Sequence, residues 1–363
     1  MHPVRWLRRA PYLAVLAAAC AASFGLAWAW AAVMPMAYLD PEYPVWRAKL
    51  ALLQRCDLGE VLIVGDSRAA VDVVPAMLPM PVTNLAVGGG MPVEAYLAVA
   101  RALSCPAPPR RVVISLDAAH FMLPDLFWER SVKYGFVTPA DLALLDQIAA
   151  QTGDASLAQA KRPDGLPAGL RGWLYARHFP PLYAASLLKG VLLSRLWQNR
   201  ATFAATLASH GQYFFGRDAG SSTVAAEGHL AAFLPLPVLD RYFDRLLALL
   251  ASRGIPAWFI AMPLNQTTVR AVRPEVRAAF AAYLQNYAAR YANFQVVGPV
   301  MPAWPDRYFG DEFSHLNPPG AALLSRRFGA CLQALLSQGP AAACVPAQAP
   351  PPADLHPASA VLQ

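Results

Sequence analysis

Residues 61–68 read Val61-Leu62-Ile63-Val64-Gly65-Asp66-Ser67-Arg68. Four apolar, largely β-branched residues in a row, closed by a turn signal, mark a strand buried on both faces, as in a parallel sheet. Gly65-Asp66-Ser67 makes the tight turn that ends it. Ser67 therefore stands at the carboxyl edge of the sheet, with the first N–H groups of a helix beside it. A hydroxyl so placed is exposed, and the neighbouring amides are donors for a developing oxyanion.

Working outward, the same alternation recurs. Val82 to Ala86 predicts a second strand running into Gly88-Gly89-Gly90, and Val93 to Leu103 a helix. Arg111 to Leu116 predicts a third strand. Later, Val238 to Ser252 reads as a helix stopped at Gly254, Ala257 to Met262 as a fourth strand, Glu275 to Tyr291 as a helix, Phe294 to Val297 as a fifth strand and Pro319 to Leu336 as a closing helix. Ahead of all these, Pro44 to Gln54 is a short amphipathic helix. Strands alternating with helices give an α/β fold, a five-stranded parallel sheet flanked by helices.

From about residue 120 to residue 236 the alternation is lost. The stretch reads as a mostly helical, aromatic-rich insertion, with Thr138-Pro139-Ala140-Asp141 as a helix start. It either folds over the carboxyl edge of the sheet, where doubly wound sheets bind ligands, or packs elsewhere as a buttress. The chain thus divides into an N-terminal segment, 1–37, two halves of the sheet domain, 38–119 and 237–338, with 120–236 between them, and a Pro/Ala-rich tail, 339–363, expected to be loosely attached.

Residues 11–36 contain no charged residue, and about 20 apolar residues suffice for a helix to cross a bilayer. Arg5, Arg8 and Arg9 precede the run, and Asp40 and Glu42 follow it, which puts the N-terminus in the cytoplasm and the body outside. A cleaved signal peptide is the competing reading, weakened by the length of the run and by Trp28 and Trp30 near the cleavage-like alanines. In an oxidising compartment Cys56, Cys105, Cys331 and Cys344 form two disulfides. Three pairings are open. Cys56 and Cys105 each precede a strand, and they meet if those strands are neighbours, which favours Cys56–Cys105 with Cys331–Cys344. The cysteine and histidine spacings suit no zinc site, and no cofactor motif is present. The formal charge of +7 is partly the N-terminal arginine cluster and is otherwise dispersed, so nucleic acid is not an expected partner.

Chemistry concentrates in three blocks: Gly65 to Arg68; Asn84-Leu85-Ala86-Val87-Gly88-Gly89-Gly90; and Asp311-Glu312-Phe313-Ser314-His315-Leu316-Asn317-Pro318-Pro319-Gly320. A serine needs a base, and a histidine base needs an acid to hold its tautomer. Ser67 is the candidate nucleophile and His315 its base, with Asp311 or Glu312 as orienting acid. His120, beside Asp117 at the carboxyl edge, reads either as a substrate contact or, more commonly for such a residue, as a satisfied, partly buried histidine, and His178, His210 and His229 as surface or structural.

In this order the blocks resemble the SGNH (GDSL-like) hydrolase superfamily, over roughly residues 56–119 and 236–336. The resemblance implies an SGNH/flavodoxin-like fold, with Ser67 as nucleophile, Gly89 in the oxyanion hole and His315 as base. Two departures stand out. The position three before the histidine is Glu312, with Asp311 four before. The third strand ends in Asp117-Ala118-Ala119-His120, without the asparagine that the family places there. Asn265 and Arg68 are the candidate replacements, and Asp117 a candidate substrate contact. The wording of the motifs further resembles a membrane-anchored or periplasmic branch that includes alginate O-acetylation proteins, the D-alanine transfer protein of teichoic acids and SGNH-like accessory proteins of cellulose operons. That likeness implies a single-pass inner-membrane protein with a periplasmic serine esterase or O-acyltransferase acting on a polysaccharide, with a membrane-bound acyltransferase as partner. Its rival is a non-catalytic SGNH-like scaffold or glycan-binding subunit.

Overall fold

The computed structural model describes residues 10–160, 165–192, 194–337 and 344–348. Its centre is a five-stranded, all-parallel sheet. We label the strands β1 (Val61–Gly65), β2 (Val82–Asn84), β3 (Arg111–Ser115), β4 (Ala257–Phe259) and β5 (Phe294–Val296). They lie in the spatial order β2-β1-β3-β4-β5, with Val61 opposite Arg111 and Gly65 opposite Ser115.

The continuous apolar run of β1 is explained by what covers it. Side chains alternate across a strand, so Leu62 and Val64 enter one core while Val61 and Ile63 enter another. The first core takes Trp46 and Leu50 from helix Tyr43–Arg55, Leu97 from Pro92–Ala102, Phe243 and Leu246 from Pro237–Ser252, and Phe280 from Pro274–Arg290. The second takes Ala70 and Val71 from the short helix Ser67–Asp72, and Leu324 and Phe328 from Pro318–Leu336. A strand with water on neither face has no reason to alternate polar with apolar residues.

Chain reversal at Asp66 places the chemistry. The Asp66 side chain caps the following helix, accepting from the N–H groups of Arg68 and Ala69, and its other oxygen accepts from the N–H of Asp117 at 2.9 Å. The ends of β1 and β3 are thereby tied together at the carboxyl edge.

Both sequence-based placements of the insertion hold, for different parts of it. Leu123, Leu126, Arg130, Phe215, Ser221 and Thr223 line a cavity at the carboxyl edge. Helices Ala184–Leu192 and Leu196–Ala208 instead pack on Pro35–Tyr38 and Tyr43–Arg55, near the outer end of the apolar N-terminal helix. Thr138 caps helix Pro139–Thr152 and shares a capping box with Asp141.

Helix Ala10–Val33 is, among the described residues, the one long and apolar enough to cross a membrane. Cys56–Cys105 and Cys331–Cys344 are paired as disulfides, and Cys20 is free. Disulfides fit an extracytoplasmic body. The expectation of a loose tail needs correction where the tail is described. Cys344 is buried, Ala303 N–H donates to Ala347 O at 2.9 Å, and Trp304 Nε1–H donates to Pro346 O at 3.3 Å. Residues 338–343 and 349–363 lie outside the described residues.

Candidate active site

Ser67 begins the helix that follows β1 and lines a cavity of about 1000 Å³, which also touches Gly88, Gly89, Asp311 and His315. The three sequence blocks thus converge from β1, from the loop after β2 and from the loop before the last helix. No hydrogen bond joins Ser67 to His315 among the described residues, and none takes up the amides of Ser67 or Gly89.

The histidine loop is built around Asp311. Its Oδ1 accepts from Phe313 N–H at 2.9 Å and His315 N–H at 3.3 Å, folding the loop into a tight turn. Its Oδ2 lies 2.5 Å from His315 Nδ1. Ser314, between them, has a φ of 60°, a left-handed conformation costly for a side-chain-bearing residue. The ring of His315 is walled by Phe215 and Phe313, and its Nε2 is buried without a hydrogen-bond partner. Burial works to raise the Asp311 carboxyl, but the hydrogen bond and charge of His315 outweigh it and hold the group below its ordinary value. Of the two acids that sequence left open, Asp311 is the one on the ring. Glu312 lies at the cavity wall.

The glycine loop is shaped by its neighbours. Gly89 has a φ of 69°, and a Cβ there would meet Leu126 Cδ1 at 2.7 Å. At Gly88 a Cβ would strike the Glu42 carboxylate, which pairs with Arg130 at 2.9 Å. Lys49, buried beneath, donates to Ala86 O. Burial pushes its ammonium down to about 7, with Glu42 pulling back.

Behind Ser67 sits a charged network. Arg68 binds Glu227 with two nitrogens, at 2.7 and 2.8 Å, and Asp117 at 2.9 Å. His120 Nδ1 lies 2.7 Å from Asp117 Oδ2. Burial would raise Asp117, but the charges of His120 and Arg68 hold its carboxyl well below the usual range. Burial would lower His120, but Asp117 lifts it to about 9. Burial pushes Asp66 up, with the charge of Asp117 adding to it. Burial likewise pushes Glu227 up to about 7 against the pull of Arg68. Ligand atoms of Asp66, Asp117 and His120 fall within 4.8 Å of one another, the donor set of a cation site. The positive charge beside them is the guanidinium of Arg68.

The replacements proposed for the missing asparagine are spent elsewhere. Asn265 caps helix Gln266–Ala271 through Thr268 N–H and donates to Ser221 O and Thr223 O. It is buried and is not among the residues lining the cavity. Arg68 does line the cavity, but its guanidinium is committed to two carboxylates. Sequence reasoning missed Glu227, Glu42, Arg130 and Lys49. An acid among small residues, Ala225-Ala226-Glu227-Gly228, was the only local signal for the first. His178 is structural, 2.7 Å from the Tyr38 hydroxyl and stacked on Tyr183.

No protein-family model, curated protein or solved structure matches the chain.

Proposed function

We propose that the protein is an extracytoplasmic serine acyl enzyme of SGNH type, held on the inner membrane by its N-terminal helix with the N-terminus cytoplasmic. One observation carries this reading. The Asp311–His315 pair shares a cavity with Ser67, and His315 offers that cavity region a buried nitrogen with no other partner. A histidine fixed at Nδ1 by a carboxylate is a neutral base at Nε2.

The Ser67 hydroxyl oxygen attacks the carbonyl of an acyl ester as its proton passes to His315. The oxyanion is held by the N–H groups of Ser67 and Gly89. Collapse breaks the ester bond, and the departing alkoxide takes the proton from His315, leaving Ser67 acylated. A second hydroxyl then gives its proton to His315 and attacks the acyl carbonyl, and collapse breaks the bond to Ser67 as His315 returns that proton to the Ser67 oxygen. Water as the second hydroxyl makes an esterase, and a sugar hydroxyl makes an O-acyltransferase. The cavity wall carries Ser221, Ser222, Thr223 and Asp218, hydrogen-bonding groups suited to a hydroxyl-rich acceptor. Acetyl groups on an exopolysaccharide, such as a cellulose-like or alginate-like polymer, are the substrate class this supports. A membrane-bound acyltransferase would be the acyl source.

The test is hydrolysis of a small acetyl ester by the full chain in detergent, beside Ser67→Ala and His315→Ala, with covalent labelling of Ser67 by a fluorophosphonate. Activity and labelling lost in both variants support the reading. A folded wild type that neither turns over nor labels favours the non-catalytic scaffold.

A further inference from the structure

The insertion carries an exposed apolar surface that the cavity does not use. Outside the N-terminal helix and the cavity wall, the exposed large apolar side chains of the described body are Leu170, Trp173, Leu188, Leu192, Trp197 and Leu234. All but Leu234 fall within residues 168–197, the part of the insertion that packs beside the outer end of the N-terminal helix.

The height of that part on the helix is set by contacts. Trp28 Nε1–H donates to Arg177 O at 2.7 Å. The ring of Phe179 lies 5.0 Å from that of Trp28 and 5.9 Å from that of Phe24. Up to Gly25 the side chains from Pro11 onward are exposed, and burial against the body begins at Trp28 and Ala31. At ~1.5 Å per residue, Ala10 to Trp28 covers about 28 Å, close to the ~30 Å hydrocarbon thickness of a bilayer. Trp28 and Trp30 then sit where tryptophans anchor helices at the lipid–water boundary. Arg177 and Phe179 touch the helix at that level, so this part of the insertion cannot stand clear of the lipid.

The side-chain directions agree. Helix Ala184–Leu192 packs on the chain leaving the anchor through Gly190, where a Cβ would lie 2.2 Å from Tyr38 Cα. At ~100° per residue Leu188 and Leu192 lie about 160° round the helix from Gly190, on its outer face, with Lys189 exposed beside them. Arg177 lies over Trp173 at 3.9 Å and Arg200 over Trp197 at 5.3 Å. Apolar bodies topped by cations are the side-chain pattern of an interfacial surface on anionic lipid.

We infer that residues 168–192 and 194–200 of the insertion form a membrane-docking face, seated in the headgroup layer around the anchor, with Trp173, Leu188, Leu192 and Trp197 in contact with lipid. The inference rests on the membrane-anchor reading of helix Ala10–Val33 and is independent of the acyl chemistry. One anchor helix leaves a body free to swivel and tilt. A second contact fixes which way the carboxyl edge faces. Glu42 of the cavity wall stands nine residues after Val33, the last residue of the anchor helix, which ties that edge to the membrane side of the body.

The test is nitroxide accessibility on the full chain in vesicles of phosphatidylethanolamine and phosphatidylglycerol. The native Cys20 carries the label as a probe of the anchor. In a Cys20→Ala background, Trp173→Cys, Leu188→Cys and Leu192→Cys carry it singly, with Arg253→Cys, exposed at the amino edge of the sheet, as the aqueous reference. The expected result is an oxygen-to-nickel-chelate collision ratio several-fold above that of Arg253→Cys at all three positions, and higher still at Cys20. Ratios matching Arg253→Cys while Cys20 reads deep would overturn the docking face and leave the anchor intact. Positions shielded from both reagents would mean a protein covers the face, which also overturns it. An aqueous Cys20 would overturn anchor and docking face together.

Discussion

Arg68, the residue after Ser67, is gripped by Glu227 from the insertion, Nη1 at 2.7 Å from Oε1 and Nη2 at 2.8 Å from Oε2. Both side chains are buried. A segment that interrupts the βα alternation therefore supplies one of the two carboxylates on Arg68 behind the candidate nucleophile, and sheet and insertion are one structural unit at this point.

Removing one partner of a buried ion pair strands the other, which costs about 3–5 kcal/mol. Glu227→Leu should therefore lower the unfolding free energy by up to about that amount, because Asp117 remains on Arg68 and compensates part of its charge. Urea denaturation of wild type and variant measures it. A loss below about 1 kcal/mol, the size of an exposed pair, would show that water reaches Arg68 and replaces the carboxylate.

Asp311 and Glu312 separate the two versions of the histidine's acid. Asp311 holds Nδ1 of His315 and two backbone amides of its loop. Asp311→Asn should reduce kcat by on the order of 100- to 10,000-fold through the wrong tautomer. Glu312→Gln, on the cavity wall, should leave kcat near wild type and move KM if the acid touches the acceptor. Esterase kinetics on the two variants decide it, and equal losses in kcat would return Glu312 to the catalytic set.

The Cys56–Cys105 disulfide joins the end of helix Tyr43–Arg55 to the chain entering β3, across a sequence separation of 49. Acting through the loop-closure entropy of the unfolded chain, a crosslink of that span is worth about 4 kcal/mol. The double variant Cys56→Ala/Cys105→Ala should lose about 2–4 kcal/mol, and reduction of the wild type should lower Tm in the same direction. An unchanged Tm on both counts would mean the pair contributes nothing to folding.

These relationships divide into those written locally and those made by folding. The buried strand β1, the turn at Gly65-Asp66-Ser67 and the helix start at Thr138 are local, since each depends on side chains a few residues apart. The pairing Cys56–Cys105 was readable only on the condition that the strands after the two cysteines are neighbours, which the order β2-β1-β3 meets. The Arg68–Glu227 and Glu42–Arg130 pairs were not readable, because nothing local marks which of many charges will meet across a long stretch of chain. Asn265 failed as an oxyanion donor for a local reason that could have been read. It stands three residues before Thr268 at a helix start, where an asparagine is a cap. Sequence left Asp311 and Glu312 both open as the acid of His315, because only the folded turn that Asp311 forms with Phe313 brings its carboxylate to the ring from four residues away.

Asp72 closes the helix begun by Ser67 and reaches the histidine loop. Its Oδ1 accepts from Leu316 N–H at 2.9 Å, and its Oδ2 is buried without a partner. Burial drives this carboxyl well above its ordinary value, with the Leu316 amide pulling the other way. A carboxyl raised in the folded state binds more protons folded than unfolded, so its contribution to stability falls as pH rises above the unfolded value of about 3.9. Asp72→Asn keeps the acceptor for Leu316 and removes the titration. At about pH 4 and below, variant and wild type should be similarly stable. Toward neutral pH the variant should become the more stable, the gap widening until the folded-state carboxyl ionises and then holding level. Urea midpoints across that range measure the gap. A variant less stable than wild type at neutral pH would mean that the Asp72 carboxylate is ionised in the fold and that its charge, set against Arg68, is part of what holds the serine helix to the histidine loop.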